Sequence, residues 1–217
     1  MKCPKWLNDY MTDEELSEIG GAVTSVEERT TGEIVPVVVR RSSTIGHVPV
    51  ILMLVFILVG MIAYSVGFLS GHLDEHWFLS LAYLTLGIAL VRWLASVPAV
   101  CRWLTSAQDQ VEQVEQRALI EFYNHAADRT KRNTGILLFI SMLEHRAVVL
   151  ADKAIADKLP PETWDHVIVD MLKLLKQKRL KSAMISGIES CGKILSEHFP
   201  KSADDSNEIS NGLIIIE

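Results

Sequence analysis

The distribution of hydrophobic and polar residues divides the chain into two amphipathic parts on either side of a long apolar middle. Before this middle, a capping box begins at Thr12, and apolar residues at helical spacing predict a helix that ends near Arg29. These apolar residues are Leu16, Ile19, Val23 and Val26. The β-branched run over residues 33–40 predicts the first strand. Pro36 lies inside this run and has no backbone N–H, which favours an edge position or a bulge.

The apolar middle begins at Val48, and no acidic or basic residue follows until Asp74. At a rise of about 1.5 Å per residue, a helix over residues 48–69 would be about 33 Å long, enough to cross a bilayer core. A second apolar run over residues 77–91 follows a short polar turn. The two runs predict a transmembrane helical hairpin, and the alternative is a pair of buried helices in a globular core.

The part after the hairpin combines helical and extended patterns. It predicts a long helix over residues 107–129, strands over 136–141 and 147–151, a helix after Pro161, a helix over 181–198, and a late strand or tail over 213–216. The first two strands should be parallel because a helix connects them, and the short link before the third predicts antiparallel pairing. The expected fold is α/β: a three-layer α/β/α sandwich with a small mixed sheet, interrupted by a two-helix transmembrane hairpin.

The same patterns define the expected domain boundaries. Residues 1–46 and residues 105–200 would form the two parts of the α/β domain. Residues 47–104 would form the hairpin between them, and residues 201–217 an acidic linker with a C-terminal tail.

Charged residues predict the topology of this hairpin. Basic residues precede the first apolar run and close the second, whereas the turn between the runs has no Lys or Arg. Because Lys and Arg concentrate on the cytoplasmic side of membrane helices, both termini should lie in the cytoplasm. The residues expected to anchor the hairpin at the headgroup levels are Arg40, Arg41, Trp77, Arg92 and Trp93.

Polar residues at the ends of the predicted strands form a candidate site. With two parallel strands and an antiparallel third, the starts of the first two and the end of the third share one sheet edge. The residues expected to converge there are Glu33, Asn133, Thr134 and Asp152. Their oxygen atoms are ligands that Mg²⁺ or Ca²⁺ prefers. The alternative is that they are ordinary turn and cap residues.

The turn residues Glu144, His145 and Arg146 are a second candidate. A catalytic interpretation rests on the histidine, which titrates near neutral pH. The alternative, which we favour, is a solvated polar turn, because no nearby residues complete a pair of nucleophile and base.

Three segments of the chain resemble the TPM domain family, in particular its bacterial membrane-bound branch. They are TTGEIVPVVVRRSS from Thr30, RNTGILLFISMLEHRAVVLADKAIADKLPPETW from Arg132, and ISGIESCGKILSEHFP from Ile185. The resemblance implies an α/β/α sandwich and, with the charge pattern, a two-pass protein of the bacterial inner membrane. It also implies phosphatase activity with divalent-cation binding, as in some members, or assembly, repair or receptor modulation, as in others. Residues 152–156 depart from the glycine-rich turn of the family pattern.

Two classes of function follow from these features. The net charge of −6 argues against nucleic-acid binding, and the chain has no nucleophile motif, phosphate-binding loop or dinucleotide fingerprint. We expect a membrane-anchored module for interaction with, or assembly or modulation of, an unknown membrane-resident partner. An anchor inserted inside the domain would fix the distance and orientation of the domain at the bilayer. The alternative is a divalent-metal-dependent, phosphatase-like hydrolase at the acidic sheet edge.

Overall fold

The computed structural model describes residues 3–42, 47–69, 77–104, 106–127, 129–202 and 207–217. The chain forms two compact units. The first comprises Met1–Ser42 and Val111–Glu217, and the second comprises Ser43–Gln110. The second unit includes the apolar segment that begins at Val48.

Helix α1 spans Asp13–Glu27 and begins at the predicted capping box. The Thr12 Oγ1 accepts a hydrogen bond from the Glu15 N–H at 3.3 Å, and the Glu15 Oε2 accepts one from the Thr12 N–H at 2.9 Å. These reciprocal bonds satisfy two of the backbone donors that a helix N-terminus leaves open. The helix ends slightly before the predicted residue, and its apolar face is buried.

The first unit is built on a four-stranded sheet with the order β3-β2-β1-β4. The strands are β1 (Glu33–Val39), β2 (Gly135–Ser141), β3 (Arg146–Ala151) and β4 (Ile214–Ile216). β1 pairs in parallel with β2 and with β4, whereas β2 and β3 are antiparallel. The predicted relations among the first three strands are confirmed, and the apolar C-terminal segment is a fourth strand.

The strand order corrects the expectation for Pro36. β1 lies inside the sheet and its register with β2 is continuous, so neither an edge strand nor a bulge is present there. The Arg40 N–H donates to the Ile216 carbonyl at 3.0 Å, and since alternate residues point the same way, the Pro36 nitrogen also faces the β4 side. β4 begins opposite Val37. The proline therefore lies beyond the paired segment, where no ladder hydrogen bond needs its missing donor.

Helices pack on both faces of this sheet. They are α5 (Ala107–His125), α6 (Lys153–Ala156), a 3₁₀ turn (Pro161–Trp164), α7 (Asp165–Lys176) and α8 (Leu180–His198), together with α1. One face of the sheet packs against α1, α7 and α8. The other face packs against α5 through Val114, Ala118 and Phe122. Every residue of β1 and β2 is buried, as expected for strands covered on both faces. The α/β class with a small mixed sheet is thus confirmed.

A glycine allows close approach between two helices of the first unit. A Cβ atom on Gly192 of α8 would lie 2.3 Å from Cγ1 of Val26 in α1. Because a β-branched side chain has few alternative rotamers in a helix, Val26 has little freedom to move away. The helix pair is therefore closely packed at this point.

The second unit contains three helices in its described residues: α2 (His47–Leu69), α3 (Trp77–Ser96) and α4 (Pro98–Leu104). α2 and α3 pack together, with the rings of Phe56 and Tyr83 stacked at 4.8 Å between centroids. A Cβ atom on Gly87 would lie 1.9 Å from Cζ of Phe56, so the ring fills the space that this glycine leaves.

Within the described residues, one helix is long and apolar enough to cross a membrane. Its most apolar window is Val48–Ser65, with a mean hydropathy of 2.6 and only 6% of the window buried. The second apolar stretch, Ala82–Ser96, is shorter. The two-helix transmembrane hairpin therefore stays a prediction.

Candidate functional site

The structure brings the polar residues at the strand ends to one edge of the sheet. Glu33 begins β1, and its N–H donates to the Thr134 carbonyl at 3.0 Å. Asp152 follows β3, and its N–H donates to the Gly135 carbonyl at 2.8 Å. The Asn133 carbonyl accepts a hydrogen bond from the first turn of α6 at 3.2 Å.

The side chains at this edge have separate contacts. The Asp152 Oδ1 accepts a hydrogen bond from the first N–H of α6 at 2.7 Å and so caps this short helix. The Thr134 Oγ1 donates to the Thr31 carbonyl at 2.8 Å. Asn133 adopts a left-handed conformation with a φ of 51°, which asparagine tolerates in turns. These are the contacts of turn and cap residues, and the shared cation site stays a prediction.

A buried pair of carboxyl groups lies at the same edge, formed by Glu33 and Glu27. Glu27 is the last residue of α1 and is 5% exposed, and Glu33 is 3% exposed. The Ile34 N–H donates to the Glu27 Oε1 at 3.1 Å, and the Glu208 N–H donates to the Glu33 Oε1 at 3.3 Å. Burial, and then the negative charge of Glu33, raise the pKa of Glu27 to about 8. At neutral pH, burial and the charge of Glu33 therefore favour the protonated form of Glu27.

A surface pocket of about 230 Å³ opens beside this pair. Besides Glu27, its lining includes Thr24, Lys201, Asn207 and Asn211. The Asn211 Nδ2 donates to the Thr24 Oγ1 at 2.9 Å, and the Asn207 Nδ2 donates to the Asn211 Oδ1 at 2.6 Å. Glu28 also lines the pocket, so Glu27 is bordered by hydroxyl and amide groups, by a second carboxyl group and by the Lys201 side chain.

The pair can do two kinds of chemistry. With one proton it is a carboxylic acid beside a carboxylate, the arrangement in which one group donates a proton and the other accepts one. With both groups ionised it presents two hard oxygen ligands to a divalent cation, and the pocket adds neutral oxygens. Among the described residues, no group of three or more His, Cys, Asp or Glu side chains is arranged to hold a metal.

Sequence reasoning identified Glu33 but missed Glu27. The sequence did contain a signal for Glu27. It follows Val23 by four residues and Ile19 by eight, and this spacing places it on the buried face of α1. An acidic residue on the apolar face of a helix needs a buried partner or a proton. Glu33, which follows the intervening turn, is that partner.

The other end of the sheet has its own polar network, around Glu144. The Glu144 Oε2 accepts hydrogen bonds from the Ser42 N–H at 3.2 Å and from the Ser141 hydroxyl. The Ser42 hydroxyl donates to the Ser141 Oγ at 2.8 Å. Glu144 is only 4% exposed. The solvated polar turn that the sequence favoured is therefore not what the structure shows at this residue. This carboxylate holds the chain just after β1.

Comparison with known proteins identifies the α/β part of the chain. Residues 101–194 match the sequence model of the TPM domain. This part of the chain is therefore similar to the TPM domain. This match includes α5, β2 and β3 and most of the C-terminal helices of the first unit.

No curated protein matches this chain. Among solved structures, it is similar to the NMR structure of the BA42 protein from the psychrophilic bacterium Bizionia argentinensis, with a TM-score of 0.58. The two sequences are 21% identical, and the alignment covers 95% of each chain. At this identity, the similarity supports a shared fold.

Proposed function

We propose that this protein is a membrane-anchored TPM-domain protein that acts as an interaction or assembly module for a membrane-resident partner. The observation that carries the proposal is α2, whose apolar window, Val48–Ser65, is charge-free and only 6% buried. Exposed Leu, Ile, Val and Met side chains along this window favour a lipid environment over water. An anchor of this length would keep the TPM domain at a bilayer.

The charges near the apolar helices support a defined orientation. Arg40 and Arg41 are exposed residues that directly follow β1, and Arg92 is exposed on α3. Trp93 is 63% exposed beside it, and Trp77 begins α3. Basic and aromatic residues at these positions favour a two-pass protein of the bacterial inner membrane with both termini in the cytoplasm.

The position of the anchor within the chain favours an interaction role. The chain leaves the sheet at the end of β1 and returns to it as β2, and these two strands are adjacent and parallel. The insertion therefore lies between two adjacent strands of one domain, with α5 between the insertion and β2, and Glu144 holds Ser42, three residues after β1. A tether at two points restricts rotation of the domain more than a tether at one terminus does. Restricted rotation benefits recognition of a partner in the same membrane.

Quantitative cross-linking in membranes tests this proposal. We expect the full chain to be cross-linked to one membrane protein in a fixed ratio, and we expect this product to disappear when residues 47–104 are replaced by a soluble linker. A matched control carries an unrelated two-helix anchor in place of residues 47–104 and should retain the product. Equal recovery of the same partner by the soluble variant would refute the role of the anchor.

A second candidate is a divalent-metal-dependent, phosphatase-like hydrolase at the acidic sheet edge, with Mg²⁺ or Ca²⁺ as the expected cation. The carboxyl pair of Glu27 and Glu33 favours it, since a bound cation would replace the proton of Glu27. Such a cation should raise the melting temperature of the native protein, and Glu33→Gln should abolish the increase. Asp170→Asn, at an exposed acid of α7, is the control and should leave the increase unchanged. If added cation does not raise the melting temperature, the hypothesis that this edge hydrolyses a phosphomonoester is refuted.

A further inference from the structure

The two faces of the sheet differ in how many helices cover them. Three helices, α1, α7 and α8, pack on one face, and α5 packs on the other. Four strands about 4.8 Å apart span about 14 Å, whereas one helix with its side chains is about 10–12 Å wide. One helix therefore leaves part of the second face open.

The open part lies along the edge strand β3. Ala147 and Val149, which point to the face with three helices, are buried, whereas Val148 and Leu150, which point to the face with α5, are only half-buried. α5 packs instead over the central strands, where it contacts residues of β1 and β2. Residues 147–150 of β3 are apolar on both faces of the strand. The half-buried side chains of Val148 and Leu150 therefore present apolar surface to water.

A groove of about 480 Å³ runs between this strand and α5. Val148 and Leu150 form its floor, and Leu119, Glu112 and Glu115 lie along its helical wall. Leu119 is 46% exposed, and Tyr123, one turn further along the same side of α5, is 64% exposed. An apolar surface of this kind, next to charged groups, is typical of a protein interaction site.

The charges of the groove indicate the chemistry of its occupant. The two glutamates make one end of the wall acidic. A second copy of this chain, placed about a two-fold axis, would bring like charges together. An apolar segment with basic residues is complementary to the groove.

We propose that this groove binds an amphipathic helix with basic residues on its polar face, supplied by the membrane-resident partner. The inference rests on the proposed interaction function and names the surface that carries it. The helix would lie beside α5 over Val148 and Leu150, with its basic residues near Glu112 and Glu115. It would complete the second helical layer of the sheet, as α1, α7 and α8 complete the first. A helix fits better than an added strand because the open apolar area lies on the sheet face, not in line with the edge.

The probe is an 18-residue helical peptide with Leu on one face and Lys on the other, labelled with fluorescein. We would measure its fluorescence anisotropy with the full chain in phosphatidylcholine nanodiscs, and subtract the signal of empty discs. We expect saturable binding that weakens at least about tenfold in Glu112→Lys/Glu115→Lys and in Leu119→Gln. The matched control reverses two exposed acids of α8, Glu189→Lys/Glu197→Lys, and should change the affinity less than about twofold. All five changed side chains are exposed, and circular dichroism of each variant checks that it is folded.

Each other outcome overturns the inference. Equal weakening in the control would mean that overall charge, not the groove, attracts the peptide. Tighter binding of an extended peptide with alternating Val and Lys would indicate strand addition, and tighter binding of a Glu-containing helix would exclude charge complementarity. Self-association that Leu119→Gln abolishes would identify the occupant as a second copy.

The groove and the proposed function can fail separately. Cross-linking to a membrane partner that needs residues 47–104 but is unaffected by Glu112→Lys/Glu115→Lys would keep the function and refute the groove. Peptide binding that responds to these substitutions, without any anchor-dependent partner, would keep the groove and refute the function.

Discussion

The raised pKa of Glu27 predicts that the stability of the α/β unit depends on pH, and Glu27→Gln should remove this dependence. Glutamine imitates the protonated form of Glu27: its amide oxygen can accept the Ile34 N–H, as the Glu27 Oε1 does, and its amide nitrogen can donate to Glu33. The substitution thus retains the hydrogen bonds and eliminates the titration. At high pH, it also removes one of two negative charges from the buried site.

The sign and size of the effect follow from the pKa of Glu27, which is 4.5 for an ordinary glutamate and about 8 in the folded protein. Between these values the folded state holds a proton that the unfolded state has released, so the free energy of unfolding falls as the pH rises. The stabilisation is fully present below pH 4.5 and is lost as the pH rises through about 8. The slope is at most about 1.4 kcal/mol per pH unit, so wild-type protein should lose about 2–3 kcal/mol between pH 6 and pH 8.

Thermal unfolding between pH 6 and pH 9 measures this loss, followed by the fluorescence of buried Trp164 with the full chain in detergent. A change of about 2–3 kcal/mol corresponds to a fall of roughly 5–10 °C in the melting temperature of wild-type protein. Glu27→Gln should show a much smaller fall over the same range and should be the more stable protein at pH 8. Its control is Glu28→Gln, an exposed neighbour that should behave like wild type. Identical pH profiles for wild type and Glu27→Gln would refute a raised pKa of Glu27.

Two further predictions test the packing and the topology. In urea unfolding, Gly192→Ala should lower the free energy of unfolding by about 1–3 kcal/mol, because the new Cβ would lie 2.3 Å from Val26. The control Gly21→Ala, in open space on α1, should be neutral or stabilising by up to about 1 kcal/mol. Equal losses of stability in the two variants would contradict the packing argument. A reporter that fluoresces only in the cytoplasm should be bright after Glu217 and dark when inserted at Gly71, and the reverse pattern would contradict the predicted orientation.

Local patterns in the sequence predicted the elements themselves. The capping box at Thr12, the apolar run of β2 and the short link to β3 involve residues within a few positions of each other, and all three appear in the structure. The charge-free run after Val48 likewise predicted the apolar helix α2, because such a run is visible without knowledge of its neighbours. The local patterns also predicted a mixed sheet, since a short connection between two strands implies antiparallel pairing and a long helical connection implies parallel pairing.

Contacts between distant parts of the chain decided the rest. Pro36 indicated an edge strand, but β1 is an inner strand whose pairing with β4 begins only at Val37. The residues around Pro36 do not show this pairing, because β4 lies at the other end of the chain. The pKa of Glu27 likewise depends on burial by other elements and on Glu33, whose carboxylate accepts the N–H of Glu208, 175 residues further along the chain. Periodicity and capping act over one or two helical turns, and a sequence therefore displays them directly. Strand register, desolvation and the groove beside α5 exist only after segments far apart in the chain have packed together, so the tertiary structure alone determined them.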